Sequence, residues 1–127
     1  MGKHVKVGLG SDVGAGTSFN QLQTLNEAYK VQQLQGNKLS AFEALYHATL
    51  GSAKALSLED KLGNFNLGKE ADFVVLDLNA TALQRLRQSR AKNIEDALFA
   101  LITMGDDRNI AATYVFGECV YHQSSTK

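Results

Sequence analysis

Apolar and polar residues change their spacing repeatedly along this chain, and each spacing predicts its own kind of element. Val5, Val7 and Leu9 alternate with Lys6, Gly8 and Gly10, a period of two that predicts a short strand over Val5–Leu9. The apolar positions stop at Ser11 and Asp12, which places Asp12 at the carboxyl end of that strand. Gly14 and Gly16 then allow a turn, and Ser18-Phe19-Asn20-Gln21 reads as a capping box that opens a helix. From Asn20 to Gln35 the residues Leu22, Leu25, Ala28, Tyr29 and Leu34 fall mostly on one face, opposite Asn26, Glu27, Lys30 and Gln33, as in an amphipathic helix. Gly36-Asn37 ends it. A second box, Ser40-Ala41-Phe42-Glu43, opens a helix over Ala41–Ala48, and Gly51 is expected to break the chain before a third short helix reaching Leu56.

Past Leu58 the texture becomes rich in turns, and then Ala71–Leu78 forms an apolar run expected to be a strand buried on both faces. Asn79–Arg90 reads as an exposed helical insertion carrying Arg85, Arg87 and Arg90. Asn93 is placed to cap a helix over Ile94–Met104, with Leu98, Leu101 and Ile102 as its buried stripe. Gly105 ends that helix. Apolar alternation from Ile110 to His122, interrupted at Gly117-Glu118, predicts a hairpin of two strands. The last five residues, QSSTK, are expected to fray.

Composition narrows the range of partners. At 127 residues and 44% hydrophobic, the chain can build one core or pieces of two. Thirteen basic and thirteen acidic residues balance, so there is no electrostatic footprint for nucleic acid or for an anionic membrane surface. No apolar run approaches the length of a membrane span, and the first residues lack the apolar region of a signal peptide. Cys119 is the single cysteine. It cannot pair within the chain, its apolar neighbours suggest a thiol packed in a core, and a reducing, cytoplasmic setting fits it best.

Among candidate groups, Asp12 stands out because the carboxyl edge of strands is where parallel α/β proteins place their chemistry. A turn aspartate bonded to its own loop is the commoner case, and taken alone the residues favour it. Gly8, Gly10 and Gly14 approximate a dinucleotide fingerprint, but the expected second strand with a terminal acid is replaced by helices. Ser11 lacks the surroundings of a nucleophile elbow, and Cys119 lies in an apolar strand. Glu43 and His47 stand one helical turn apart, a spacing that suits metal ligation but more often marks an ordinary helix-face contact. The three arginines read as a solvated face rather than a phosphate site.

Two stretches, taken together, resemble one family. GLGSDVGAGTS with the following LQTLNEAYKVQQLQG is similar to the last barrel strand and helix of the amidohydrolase superfamily, within it the guanine deaminases. LGNFNLGKEADFVVLDL resembles the re-entry of such a chain into its small β-sandwich, and ATYVFGECVY the closing hairpin. The resemblance implies an α/β fold: the carboxyl-terminal part of a (β/α)8 barrel, with its last strand and helices in 1–57, and part of the β-sandwich with one returning helix in 58–127. It implies zinc-dependent hydrolysis of guanine to xanthine and ammonia in a cytoplasmic enzyme of purine salvage. The helix faces built from Leu22, Leu25, Tyr29, Phe42 and Leu45 would pack on a barrel in the complete enzyme, and left open in this chain they are expected to drive homo-oligomer formation.

By that resemblance Asp12 matches the family's eighth-strand aspartate, a metal ligand that also carries protons for the attacking water. No His-x-His pair is present, and His4, His47 and His122 match none of the family's histidine ligands. The chain is therefore expected to be a fragment that binds no zinc and is inactive by itself. Two other readings stay open: an amidohydrolase acting on a different ring, and a non-catalytic helical scaffold whose Asp12 is only a turn residue.

Overall fold

A computed structural model describes residues 5–124; His4 and the end of the QSSTK tail lie outside that range. Helices come first: α1 (Gln21–Leu34), α2 (Ala41–Ala48) and α3 (Leu50–Ala55). Strand β1 (Phe73–Leu76) follows, then α4 (Ala82–Gln88), α5 (Ile94–Met104), a 3-10 turn at Asp107–Asn109, and the hairpin β2 (Ile110–Val115) and β3 (Glu118–His122). The sheet is antiparallel in the order β1-β2-β3. Among the described residues no helix is long and apolar enough to cross a membrane.

Local chemistry accounts for the helix starts. Ser40 and Glu43 form the expected capping box of α2, and Asn93 caps α5 by accepting from the Asp96 N–H. At α1 the cap is Asn20 rather than Ser18: the Asn20 side chain accepts from Leu22 N at 2.8 Å, while Ser18 Oγ accepts from Asn20 N at 3.0 Å. The expected break at Gly51 falls instead at Thr49, whose φ of −124° and ψ of −102° separate α2 from α3. Gly51 lies inside α3, buried against Tyr46.

The core forms where α5 packs against α1, α2 and α4. Leu101 and Ile102 of α5 meet Leu22 and Leu25 of α1 and Ala41 and Ala44 of α2, and Tyr29 meets Phe99 edge-on at 5.0 Å. Each large side chain buried here contributes about 1.5–3 kcal/mol relative to exposure. Leu76 and Leu78 bring the end of β1 to this cluster. Elsewhere the helices and the sheet stand apart around an open apolar cleft of about 1100 Å³, lined by Phe19, Leu25 and Leu45 on one side and by Phe73, Ile110 and Tyr114 on the other.

A Val5–Leu9 strand without its barrel neighbours is expected to fray or to pair with another molecule, and it makes no β-ladder among the described residues; its backbone bonds go to the α2–α3 junction. Two sequence expectations do not hold. β1 is not covered on both faces, since Val74 is 50% and Val75 44% exposed. Cys119 is exposed on β3, a strand exposed along its whole length among the described residues.

Candidate functional site

Asp12 sits in a turn that its own backbone builds. Its φ is +50°, a left-handed conformation that aspartate tolerates better than most residues. Its carbonyl accepts from Ala15 N at 3.0 Å and Gly16 N at 2.6 Å. Gly14, with φ of +99°, supplies a conformation closed to residues with a Cβ. The bonds of the turn therefore run through the backbone, and the Asp12 carboxylate stands exposed just ahead of the Asn20 cap.

The segment leading into this turn is held from outside. Leu9 N lies 3.0 Å from the His47 carbonyl and 3.1 Å from Ser52 Oγ. Gln21 Nε2 donates to the Leu9 carbonyl at 3.0 Å, and His47 Nδ1 lies 3.1 Å from the Val7 carbonyl. A carbonyl only accepts, so Nδ1 carries the proton and His47 donates. Lys6 adds an exposed ion pair to Glu59 at 3.5 Å, a contact of little consequence for stability.

Glu43 and His47 do not converge on a metal. The Glu43 carboxylate accepts from Ser40 N at 2.9 Å and from Ser40 Oγ at 2.8 Å. Those bonds, first from the backbone N–H and then from the hydroxyl, with a smaller part from the charge of His47, hold its carboxyl below the ordinary 4.5. Among the described residues no group of three His, Cys, Asp or Glu side chains could enclose a cation. Asp12 suits a single oxygen ligand, but one carboxylate is not a zinc site, which takes about three protein ligands. Arg85, Arg87 and Arg90 fall on or just after α4, where Arg85 donates to the Asn79 carbonyl at 3.0 Å.

Ser52 and Gln21 escape a reading of the sequence. They lie 43 and 12 residues from Leu9, and nothing local to either one signals the contact.

The amidohydrolase family profile matches residues 2–120. The guanine deaminase of Escherichia coli strain K12 is 61% identical over 122 residues, covering 96% of this chain and 28% of that protein. The solved E. coli guanine deaminase superposes with a TM-score of 0.92 over 94% of this chain and 28% of its own. The guanine deaminase from Bradyrhizobium japonicum superposes with 0.88 at 36% identity, over 94% of this chain and 32% of its own. The chain thus spans about 28% of the E. coli relative's length, and its helices and sheet have the fold of that part of these structures. The chain belongs to the amidohydrolase family.

Proposed function

We propose that this chain is the carboxyl-terminal part of a guanine deaminase, which hydrolyses guanine to xanthine and ammonia. The observation that carries the reading is the 61% identity to the E. coli guanine deaminase across 96% of the chain. Residues 1–57 would contribute the closing part of a barrel with its helices, and 58–127 part of a β-sandwich. The return of α5 to pack against α1 and α2 supports that arrangement. An intracellular setting goes with a single cysteine that has no partner in the chain.

In this reading Asp12 would provide one oxygen ligand to a zinc ion, the other ligands coming from the rest of the parent protein. The metal, when bound, supplies a Lewis acid that makes water nucleophilic at neutral pH. Asp12 would take one proton of the water as the water oxygen bonds to the ring carbon bearing the amino group. That carbon's double-bond electrons move to the adjacent ring nitrogen, which receives this proton. The proton of the new hydroxyl would then pass through Asp12 to the amino nitrogen, which leaves as ammonia as the carbonyl forms. An exposed carboxylate held by a turn whose hydrogen bonds run through the Asp12 backbone carbonyl suits this transfer, because the turn itself does not engage its oxygens.

The test is a chimaera in which this chain replaces the corresponding part of the E. coli enzyme. Such a chimaera is expected to deaminate guanine and to retain zinc, and Asp12→Asn in it is expected to lower kcat by about 100-fold or more. A chimaera with Asp12→Asn as fast as its parent would remove Asp12 from the mechanism. A folded chimaera inactive on guanine would overturn the proposed reaction.

A further inference from the structure

The segment bearing Asp12 has no sheet neighbour among the described residues, yet four hydrogen bonds converge on two of its residues. The Val7 carbonyl accepts from His47 Nδ1 at 3.1 Å, and the Leu9 carbonyl accepts from Gln21 Nε2 at 3.0 Å. Leu9 N faces both the His47 carbonyl at 3.0 Å and Ser52 Oγ at 3.1 Å. The Ser52 hydroxyl has one hydrogen, and its 2.6 Å approach to the His47 carbonyl shows where it goes. Its oxygen is then free to accept from Leu9. A closed ring of His47 carbonyl, Ser52 hydroxyl and Leu9 N–H results.

Gly8 makes this contact sterically possible. A Cβ added there would stand 2.6 Å from Ser52 Oγ and 2.8 Å from Ser52 Cα, so the strand-like segment lies directly on the α3 backbone. This explains the first glycine of the loop without any phosphate. Asp12 follows Leu9 by only three residue steps, with Gly10 and Ser11 between them, a reach of at most roughly 11 Å. Slack at Leu9 therefore passes to the Asp12 turn with little to absorb it.

We infer that His47, Ser52 and Gln21 are positioning residues, which fix the Asp12 segment on the α2–α3 junction and thereby set where the Asp12 carboxylate stands during deamination. None of the three touches the reacting atoms. The inference rests on the proposed role of Asp12 and adds the device that aims it. A carboxylate that must meet the water and then the leaving nitrogen tolerates little error, since misplacement by about 1 Å can cost a reaction roughly 100-fold.

Two measurements test this. In the chain itself, amide exchange at Leu9 is expected to accelerate in Ser52→Ala and Gly8→Ala, while exchange within α5 is unchanged. In the chimaera with the E. coli enzyme, His47→Ala and Ser52→Ala are expected to lower kcat about tenfold or more with KM for guanine within about twofold. His47→Asn, whose amide N–H can take the place of Nδ1–H, is expected to recover most of the loss. A residue acting only on stability would lower Tm without that split and without that recovery. Unchanged kcat in His47→Ala and Ser52→Ala, with Asp12→Asn inactive, would overturn the positioning role and leave the proposed function standing. Wild-type activity in Asp12→Asn would instead remove Asp12 from the mechanism, and with it what the anchoring was proposed to aim. The anchoring would then be judged by exchange, and Leu9 protected equally in Ser52→Ala and the parent chain would overturn it.

Discussion

Gln84 and Asn109 hold each other by both ends of their side-chain amides: Gln84 Nε2 donates to Asn109 Oδ1 at 3.0 Å, and Asn109 Nδ2 donates to Gln84 Oε1 at 3.1 Å. Both are buried, Asn109 completely. The pair also takes in the Met104 and Asp77 carbonyls and the Asp106 N–H, and so joins α4, the end of α5 and the end of β1. Asn109→Ala should destabilise the chain by about 1–3 kcal/mol, because it strands polar partners in the interior. Asn109→Asp, equal in size but without the donors, should destabilise as well. Urea unfolding checks both, and an Asn109→Asp chain as stable as its parent would show that packing alone holds this junction.

Acid should loosen α2 first at its amino end. The Glu43 carboxyl is held below its ordinary 4.5, chiefly by the Ser40 N–H and hydroxyl. A carboxyl depressed in the folded state stabilises fully above its unfolded value and loses that contribution as pH falls through the folded value. The Ser40–Glu43 box is thus intact above about pH 4.5 and weakens below it. Asp106, held below 3.8 mainly by the Arg108 guanidinium, acts in the same direction. Ser40→Ala should lower Tm by a few degrees at neutral pH and flatten the acid dependence of α2 amide exchange. An unaltered dependence would show that the box contributes nothing to it.

Side chains that look alike in the sequence should differ in their effect on stability. Leu101, 2% exposed, should cost about 2–5 kcal/mol as Leu101→Ala. Val74, 50% exposed, should cost well under half as much as Val74→Ala, although it lies in the unbroken apolar run Phe73–Leu76. Comparable losses by calorimetry would mean that β1 is covered in solution.

Self-association is the expected response to the apolar surface left open. Leu34 is 88%, Phe65 84% and Phe19 82% exposed, and the cleft of about 1100 Å³ between the helices and the sheet is largely apolar. Water disfavours so much apolar surface. Of the residues that the helix pattern offers for such contacts, Leu22 and Leu25 are buried by α5, and Phe42 is 51% exposed. Sedimentation should show mass rising with concentration. A monomer at every concentration would rule the association out.

What can be read from this sequence is what short stretches decide for themselves. Ser40 with Glu43, and Asn93 before Ile94, announce their helices because caps act within three residues. The hairpin is legible from its alternation, although the turn falls at Phe116-Gly117, one residue earlier than the Gly117-Glu118 that the sequence suggests. Val5–Leu9 reads as a strand because alternation records how side chains are disposed, whereas pairing depends on a partner elsewhere in the chain. Val74, Val75 and Cys119 read as buried for the same reason: an apolar residue signals a demand for cover without showing what supplies it. Asp12 is legible as a candidate from its place after the apolar run. Ser52 and Gln21 are not, since their partner Leu9 becomes a neighbour only after folding.

The break at Thr49 gives the α2–α3 junction a further meaning. In one unbroken helix the His47 carbonyl would be consumed by the amide four residues on, Gly51. The interruption leaves that oxygen to receive Leu9 and Ser52 instead. Two helices spliced into one smooth rod would each lose little, yet the rod would have no acceptor to offer the incoming chain. Mutational tolerance at this corner should therefore follow whether the kink survives, with changes that preserve the irregularity passing unnoticed and changes that perfect the helix proving harmful.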